Sequence, residues 1–249
     1  MAVTADDLVA YGSATMPDDD SVTDIGGAID TSIRVSFTDV APADTVDVVS
    51  DDSGDSQDVT IHGRDDQGVL VSETLTLNGT TTVNGAQTFD IILKVVVSAS
   101  HAGNITLTEA TGGDTLMVIE PGVLEVRRPF YDALAEDSDG VERTYYEKFF
   151  IKNNNGSTAL TSASIAESAD PSGKVAFDLE GTLNGSDTNG GGDRQTAPSG
   201  YTFDSTTKSV AGGDLTATDA QGVWAELTLP AGEAPQQTSF TLTTSGNTT

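Results

Sequence analysis

The stretch from Ser50 to Ser100, "SDDSGDSQDVTIHGRDDQGVLVSETLTLNGTTTVNGAQTFDIILKVVVSAS", constrains the fold more than any other part of this chain. Its β-branched residues come in short runs cut by Gly, Asn and Asp, the pattern of successive hairpins. In "DVTIHG" Val59 and Ile61 alternate with Thr60 and His62, and the same period of two recurs at Val69/Val71 and Leu75/Leu77. That period puts apolar side chains on one face of a sheet and polar ones on the other. "RDDQG" suits one turn, while "LNG" and "VNG" supply an Asn-Gly pair where a positive φ is needed. The stretch reads as antiparallel sheet without a reactive group, a rigid spacer positioning contacts made elsewhere.

The same pattern continues on both sides. In "IRVSFTDV" Ile33, Val35 and Phe37 share a face, and "DTVDVVS", "GNITLTEA" and "DTLMVIEPGVLEV" add further strands. Beyond Val141, Tyr145, Phe149 and Ile151 carry the apolar load of a strand that turns at "NNNG" and returns as "TALTSASI". "KVAFDLEG", "YTFDS", "VWAELTLP" and "SFTLTTSG" follow, with Trp224 as a core anchor and "GTLNGSDTNGGGDRQTAPSG" as a long glycine-rich loop. Short strands separated by frequent turn signals point to an all-β fold of two immunoglobulin-like or jelly-roll β-sandwich domains. The expected boundaries are an extended N-terminal arm at residues 1–32, a first sandwich at 33–126, a junction at 127–140 and a second sandwich at 141–249.

The arm is rich in Asp, Gly and Pro and buries too little to order itself alone, so it reads as a segment lying on a neighbour or as a disordered tail. Its apolar residues Met16, Pro17, Ile25 and Ile29 are candidate partner contacts. In the junction, "RRPFYDALAEDSDG" places Arg127 and Arg128 beside Phe130 and Tyr131, and "YDALAEDSD" suits a turn of helix. Arg and aromatic side chains dominate interface energetics, so these four are the other candidate contacts; they equally suit a sealed interdomain core.

Charge excludes several functions. The formal net charge is -28 with only 11 Lys and Arg, which leaves no cationic cluster to meet a phosphate backbone, so no nucleic-acid partner is expected. Such a surface repels itself in dilute buffer and is screened in concentrated salt, which suits a halophilic or marine setting. With no Cys there is no disulfide or thiolate metal site, and no run approaches the roughly 20 apolar residues of a membrane span. "MAVTADDLVAYG" lacks the basic start and apolar core of a signal peptide, so synthesis in the cytoplasm without export by the usual route is expected.

Neither His62 nor His101 lies in a nucleophile, zinc or acid-base motif, and no enzymatic activity is expected. The acidic turns holding Asp51, Asp55 and Asp58, and Asp187 and Asp193, present several oxygen donors, so Ca2+ is the one metal worth testing, although neither turn is an EF-hand loop. Sequons at Asn78, Asn104, Asn155, Asn184 and Asn247 arise readily in a chain so rich in Thr and Ser.

"MPDDDSVTDIGGAID", "VTIHGRDDQGVLVSETLTLNGTTTVNGAQTF", and "RRPFYDA" followed by "YYEKFFIKNNNGSTALTSASI" resemble virion structural proteins of tailed phages and related archaeal viruses. The resemblance runs from about Met16 to the C-terminus and implies a particle component without catalytic residues. Joined to the acidic composition, it leads to the expectation of a capsid decoration or cement protein. Its partners would be the major capsid protein or other virion proteins, in a homo-oligomer for which capsid symmetry suggests a trimer. A neck or tail position, or a glycan-binding module using Tyr201 and Trp224, are the other readings the sandwich fold allows.

Overall fold

The computed structural model describes residues 2–36, 38–133, 140–232 and 239–248. Phe37 and residues 134–139, most of the expected helical turn, lie outside the described residues. The strands, in chain order, are β1 (Leu8–Thr15), β2 (Gly26–Val35), β3 (Asp44–Ser50), β4 (Asp58–Arg64), β5 (Leu70–Thr76), β6 (Thr88–Phe89), β7 (Ile91–Val97) and β8 (Ile105–Glu109). They continue with β9 (Thr115–Ile119), β10 (Glu125–Arg127), β11 (Arg143–Asn153), β12 (Leu160–Ala169), β13 (Val175–Leu183), β14 (Lys208–Ser209), β15 (Ala220–Leu229) and β16 (Thr241–Thr248). Single turns of 3-10 helix at Ala5–Asp7 and Ala211–Gly213 are the helical elements among the described residues, so the fold is all-β.

The chain forms two compact units, Thr31–Tyr131 and a second made of Met1–Asp30 with Asp132–Thr249; the division falls inside β2. In the first, one sheet runs β10-β7-β4-β5 with the end of β2 parallel to β10, and the other runs β6-β3-β8-β9. Both sheets bury one face against a shared core in which Val46, Val48, Val59, Ile61, Phe89, Ile92, Val95, Ile105, Leu107 and Ile119 are all 0% exposed. The period of two holds on β4, where Val59 and Ile61 lie in this core and Thr60 and His62 face outward.

On β5 the alternation runs the length of the strand, with Val71 packed against the same core. Leu75 and Leu77 are buried, but Val69 falls in the turn before the strand and is exposed. That turn is "RDDQG", closed by the Gly68 N–H donating to the Asp65 carbonyl at 2.9 Å, with Gly68 at φ +76°. In "LNG", Gly79 has φ +54°, and a Cβ there would stand 2.6 Å from the Ser53 carbonyl, so both conformation and space require glycine.

In the second unit the sheets run β13-β15-β11-β1 and β14-β12-β16. Residues 2–32, expected to form an arm, instead carry β1 and most of β2. Residues Leu8 to Gly12 pair antiparallel with Asn153 to Phe149, and the main-chain ladder supplies the order that the segment's own side chains cannot. Strand β11 is buried on both faces from Tyr145 to Ile151, so Tyr146 and Phe150 are buried as well as the expected Tyr145, Phe149 and Ile151.

Candidate interaction surface

The expected contact residues of the N-terminal segment turn inward. Pro17 is buried, Met16 and Ile29 are half-buried, and Ile25 is 0% exposed. Ile25 packs with Tyr146 and Trp224, flanked by Val22, Tyr201 and Phe203. The Tyr201 ring lies 5.9 Å from Trp224 and the Tyr146 ring 5.2 Å from Phe203, both tilted. Burial raises the Tyr201 hydroxyl well above its ordinary pKa, reinforced by its 2.8 Å bond to the Asp187 carboxylate. Trp224 is itself 0% exposed, so its ring offers no face on which a sugar could stack.

The segment is strapped down by polar contacts. The Asp24 N–H donates to the Gly192 carbonyl, the Asn189 N–H to the Ile25 carbonyl and the Gly27 N–H to the Asp187 carbonyl, at 2.8, 3.1 and 2.9 Å. Asp20 accepts from Arg194, whose guanidinium lies 4.7 Å from the Tyr145 ring centre. The glycine-rich loop is thus a docking frame for residues 20–27. Sequence reading does not reveal this, because the partners lie 160 or more positions apart.

The junction residues are also structural. Arg127 is 2% exposed and pairs with Glu125 at 3.3 Å, and Phe130 is 7% exposed. Lys94 and Arg127 both approach the Tyr131 ring, at 5.3 and 5.4 Å from its centre. Arg128 donates through Nε to the Ile92 carbonyl at 2.9 Å and forms an ion pair with Asp39. These contacts lie inside the Thr31–Tyr131 unit, so the Arg-aromatic signature here marks internal packing.

The acidic turns spend their lone pairs on the chain itself. The Asp55 carboxylate, 3% exposed, accepts from the Ala102 N–H at 2.9 Å, the Gly103 N–H at 3.0 Å and the Ser50 hydroxyl at 2.6 Å. Those bonds, the Ala102 N–H first, hold its pKa below the usual carboxylate range. Asp51 accepts from both the backbone and side chain of Asn104, and Asp58 from the Thr76 hydroxyl. Asp187 bonds Tyr201, and Asp193 accepts from the Gln195 N–H and the Thr196 hydroxyl. Among the described residues no group of three or more His, Asp or Glu side chains converges where a metal ion would sit. His101 is likewise a staple, with Nδ1 at 2.7 Å from the Gly103 carbonyl and Nε2 at 2.9 Å from the Val123 carbonyl.

The surface best suited to a partner lies in the stretch that reads as a spacer. Val69 and Leu70, 56% and 57% exposed, stand at the β4–β5 hairpin next to a groove of about 200 Å³ lined by His62, Gly63, Leu70, Val71, Ser72 and Tyr131. The hairpin is held in place: Asp65 Oδ1 accepts from the Gln67 and Val69 N–H groups, both at 2.9 Å, and Arg64 donates to the Gly68 carbonyl. Along the strand the Thr60 and Thr74 hydroxyls bond at 2.9 Å and Thr76 donates to Asp58 at 2.6 Å. A preorganised apolar tip on an edge strand suits protein contact better than the buried residues above. Its sequence signal is a lapse in charge: between Gly68 and Phe89, Glu73 is the sole charged residue.

Comparison of the chain with family models, curated proteins and solved structures finds no match.

Proposed function

We propose that the chain is a non-enzymatic structural protein of a virion, a decoration or cement protein that binds the outer head surface and stabilises the particle in saline surroundings. The observation that carries this reading is the division of the surface. An acidic body keeps copies soluble and apart, while the β5 edge, whose exposed residues carry no charge, and the adjoining exposed Val69 leave a region where close approach costs little. The resemblance of the hairpin and junction segments to virion proteins supports the same reading. Each copy contributes a modest interface, and repetition over a symmetric shell multiplies the effective concentration of every contact. The partners are the major capsid protein and further copies of this chain.

Quantitative mass spectrometry of purified particles tests the proposal. A decoration protein is present at on the order of hundreds of copies per head. A single ring of copies would move it to the neck or tail, and its absence from purified particles would end the virion reading.

A further inference from the structure

Charge is spread unevenly over this chain, and the exception lies on an edge. Strand β5 is the last strand of its sheet, and its exposed residues Leu70, Ser72, Thr74 and Thr76 are all uncharged. The one charged residue of the strand, Glu73, is committed internally: its carboxylate accepts from the Ala86 and Gln87 N–H groups at 2.8 and 3.2 Å. Natural sheets protect their edges with charge, proline or a bulge. Strand β5 has no proline, no uncommitted charge, and an unbroken register with β4 from Leu70↔Arg64 to Thr76↔Asp58.

We propose that β5 is a self-association edge, at which two copies of this chain pair β5 to β5, antiparallel, about a two-fold axis. The pairing extends the sheet by main-chain hydrogen bonds and covers the exposed Leu70 at each end of the joint. Charge selects the occupant. A cationic partner is drawn to the acidic faces of a chain with net charge -28, whereas a second, equally acidic copy is repelled everywhere except where carboxylates are missing. Strand β16, also an edge, is likewise free of charged residues, but no large apolar side chain is exposed along it. Strand β9, at the edge of the other sheet, is flanked by Asp114 and Glu120. A closed pair, not the trimer that capsid symmetry suggests, is the natural product of an isologous edge. The inference holds wherever on a particle the protein sits.

Sedimentation equilibrium of the full chain tests it, at about 0.1 M and about 1 M salt, where the screening length falls from about 10 Å to about 3 Å. A monomer–dimer equilibrium that salt strengthens is expected. Thr74→Glu places like charges across the joint and should weaken the dimer about tenfold at the lower salt, and an equimolar mixture of Thr74→Glu with Thr74→Lys should restore it as a heterodimer. Ser72→Glu repeats the test away from the Thr60–Thr74 hydroxyl contact, and Ser245→Glu on β16 should leave the dimer unchanged. Unfolding midpoints show that each variant stays folded. A monomer under both conditions, a dimer indifferent to Thr74→Glu and Ser72→Glu, or one dissolved by Ser245→Glu would each overturn the proposal.

Discussion

Lys148 and Glu180 meet at 3.1 Å with side chains 0% and 1% exposed, and the contact passes over Gly222, where a Cβ would stand 2.3 Å from Glu180 Oε2. The same ammonium donates to the Gly27 and Asp187 carbonyls at 2.8 and 3.0 Å, so one cation ties β11 and β13 to the N-terminal segment and the glycine-rich loop. Burial pushes the Lys148 pKa down, opposed by the Glu180 carboxylate. Lys148→Met leaves Glu180 buried without its counter-charge and is expected to cost about 3–5 kcal/mol in urea unfolding. Adding Glu180→Gln should recover part of that loss; a double variant less stable than Lys148→Met alone would contradict this view of the pair.

Asp55 holds its acidic loop to the Ala102–Gly103 turn through two hydrogen bonds and to the end of β3 through a third, from the Ser50 hydroxyl. Asp55→Ala leaves two N–H groups and a hydroxyl without their acceptor, and a loss of about 2–3 kcal/mol is expected. Calcium should not reverse it, since the carboxylate serves the chain's own donors. A thermal shift of the unsubstituted protein on adding Ca2+ would show instead that the loop holds the ion.

Ile25 fills the space against Trp224 and Tyr146. Truncation by Ile25→Ala should cost about 2–4 kcal/mol and shift the Trp224 emission to the red as water reaches the ring. Unchanged emission with unchanged stability would mean that the segment does not cover the indole.

Acid stability follows from the capped carboxylates. Asp7, Asp44, Asp55 and Asp204 are all held below the ordinary value, Asp204 down to about 2 by the Thr206 hydroxyl and N–H and by Lys208. Because the unfolded chain binds these protons more tightly, their contribution is complete above the ordinary carboxylate pKa. It is lost as pH falls through the lowered values. In molar salt, which screens the general repulsion, the unfolding midpoint should change little from pH 7 to 5 and drop steeply between roughly pH 4 and 2. A drop centred above pH 5 would point to a different titrating group.

The strands of the Thr31–Tyr131 unit are legible because Val59 and Ile61 alternate with Thr60 and His62, and one solvated face imposes that period. Strand β1 is not, since "LVAYGSAT" is ordered by main-chain pairing with β11 and carries little pattern of its own. The "RRPFY" segment reads identically whether its arginines meet a partner or, as here, Glu125, Asp39 and the Tyr131 ring within the same unit. Nor does spacing announce the Lys148–Glu180 pair, because the two residues are brought together only once β15 lies between their strands. The β5 edge was open to inspection in the sequence as a gap in charge, a signal that alternation alone does not register.

Particle survival shows whether the chain acts as cement for a viral head, as proposed. Particles produced without the protein should lose integrity at a lower temperature, or on transfer to dilute salt, than particles that carry it, and adding back the purified chain should restore them. Particles equally robust with and without the protein, or a purified chain that does not rebind stripped heads, would rule out a cementing role.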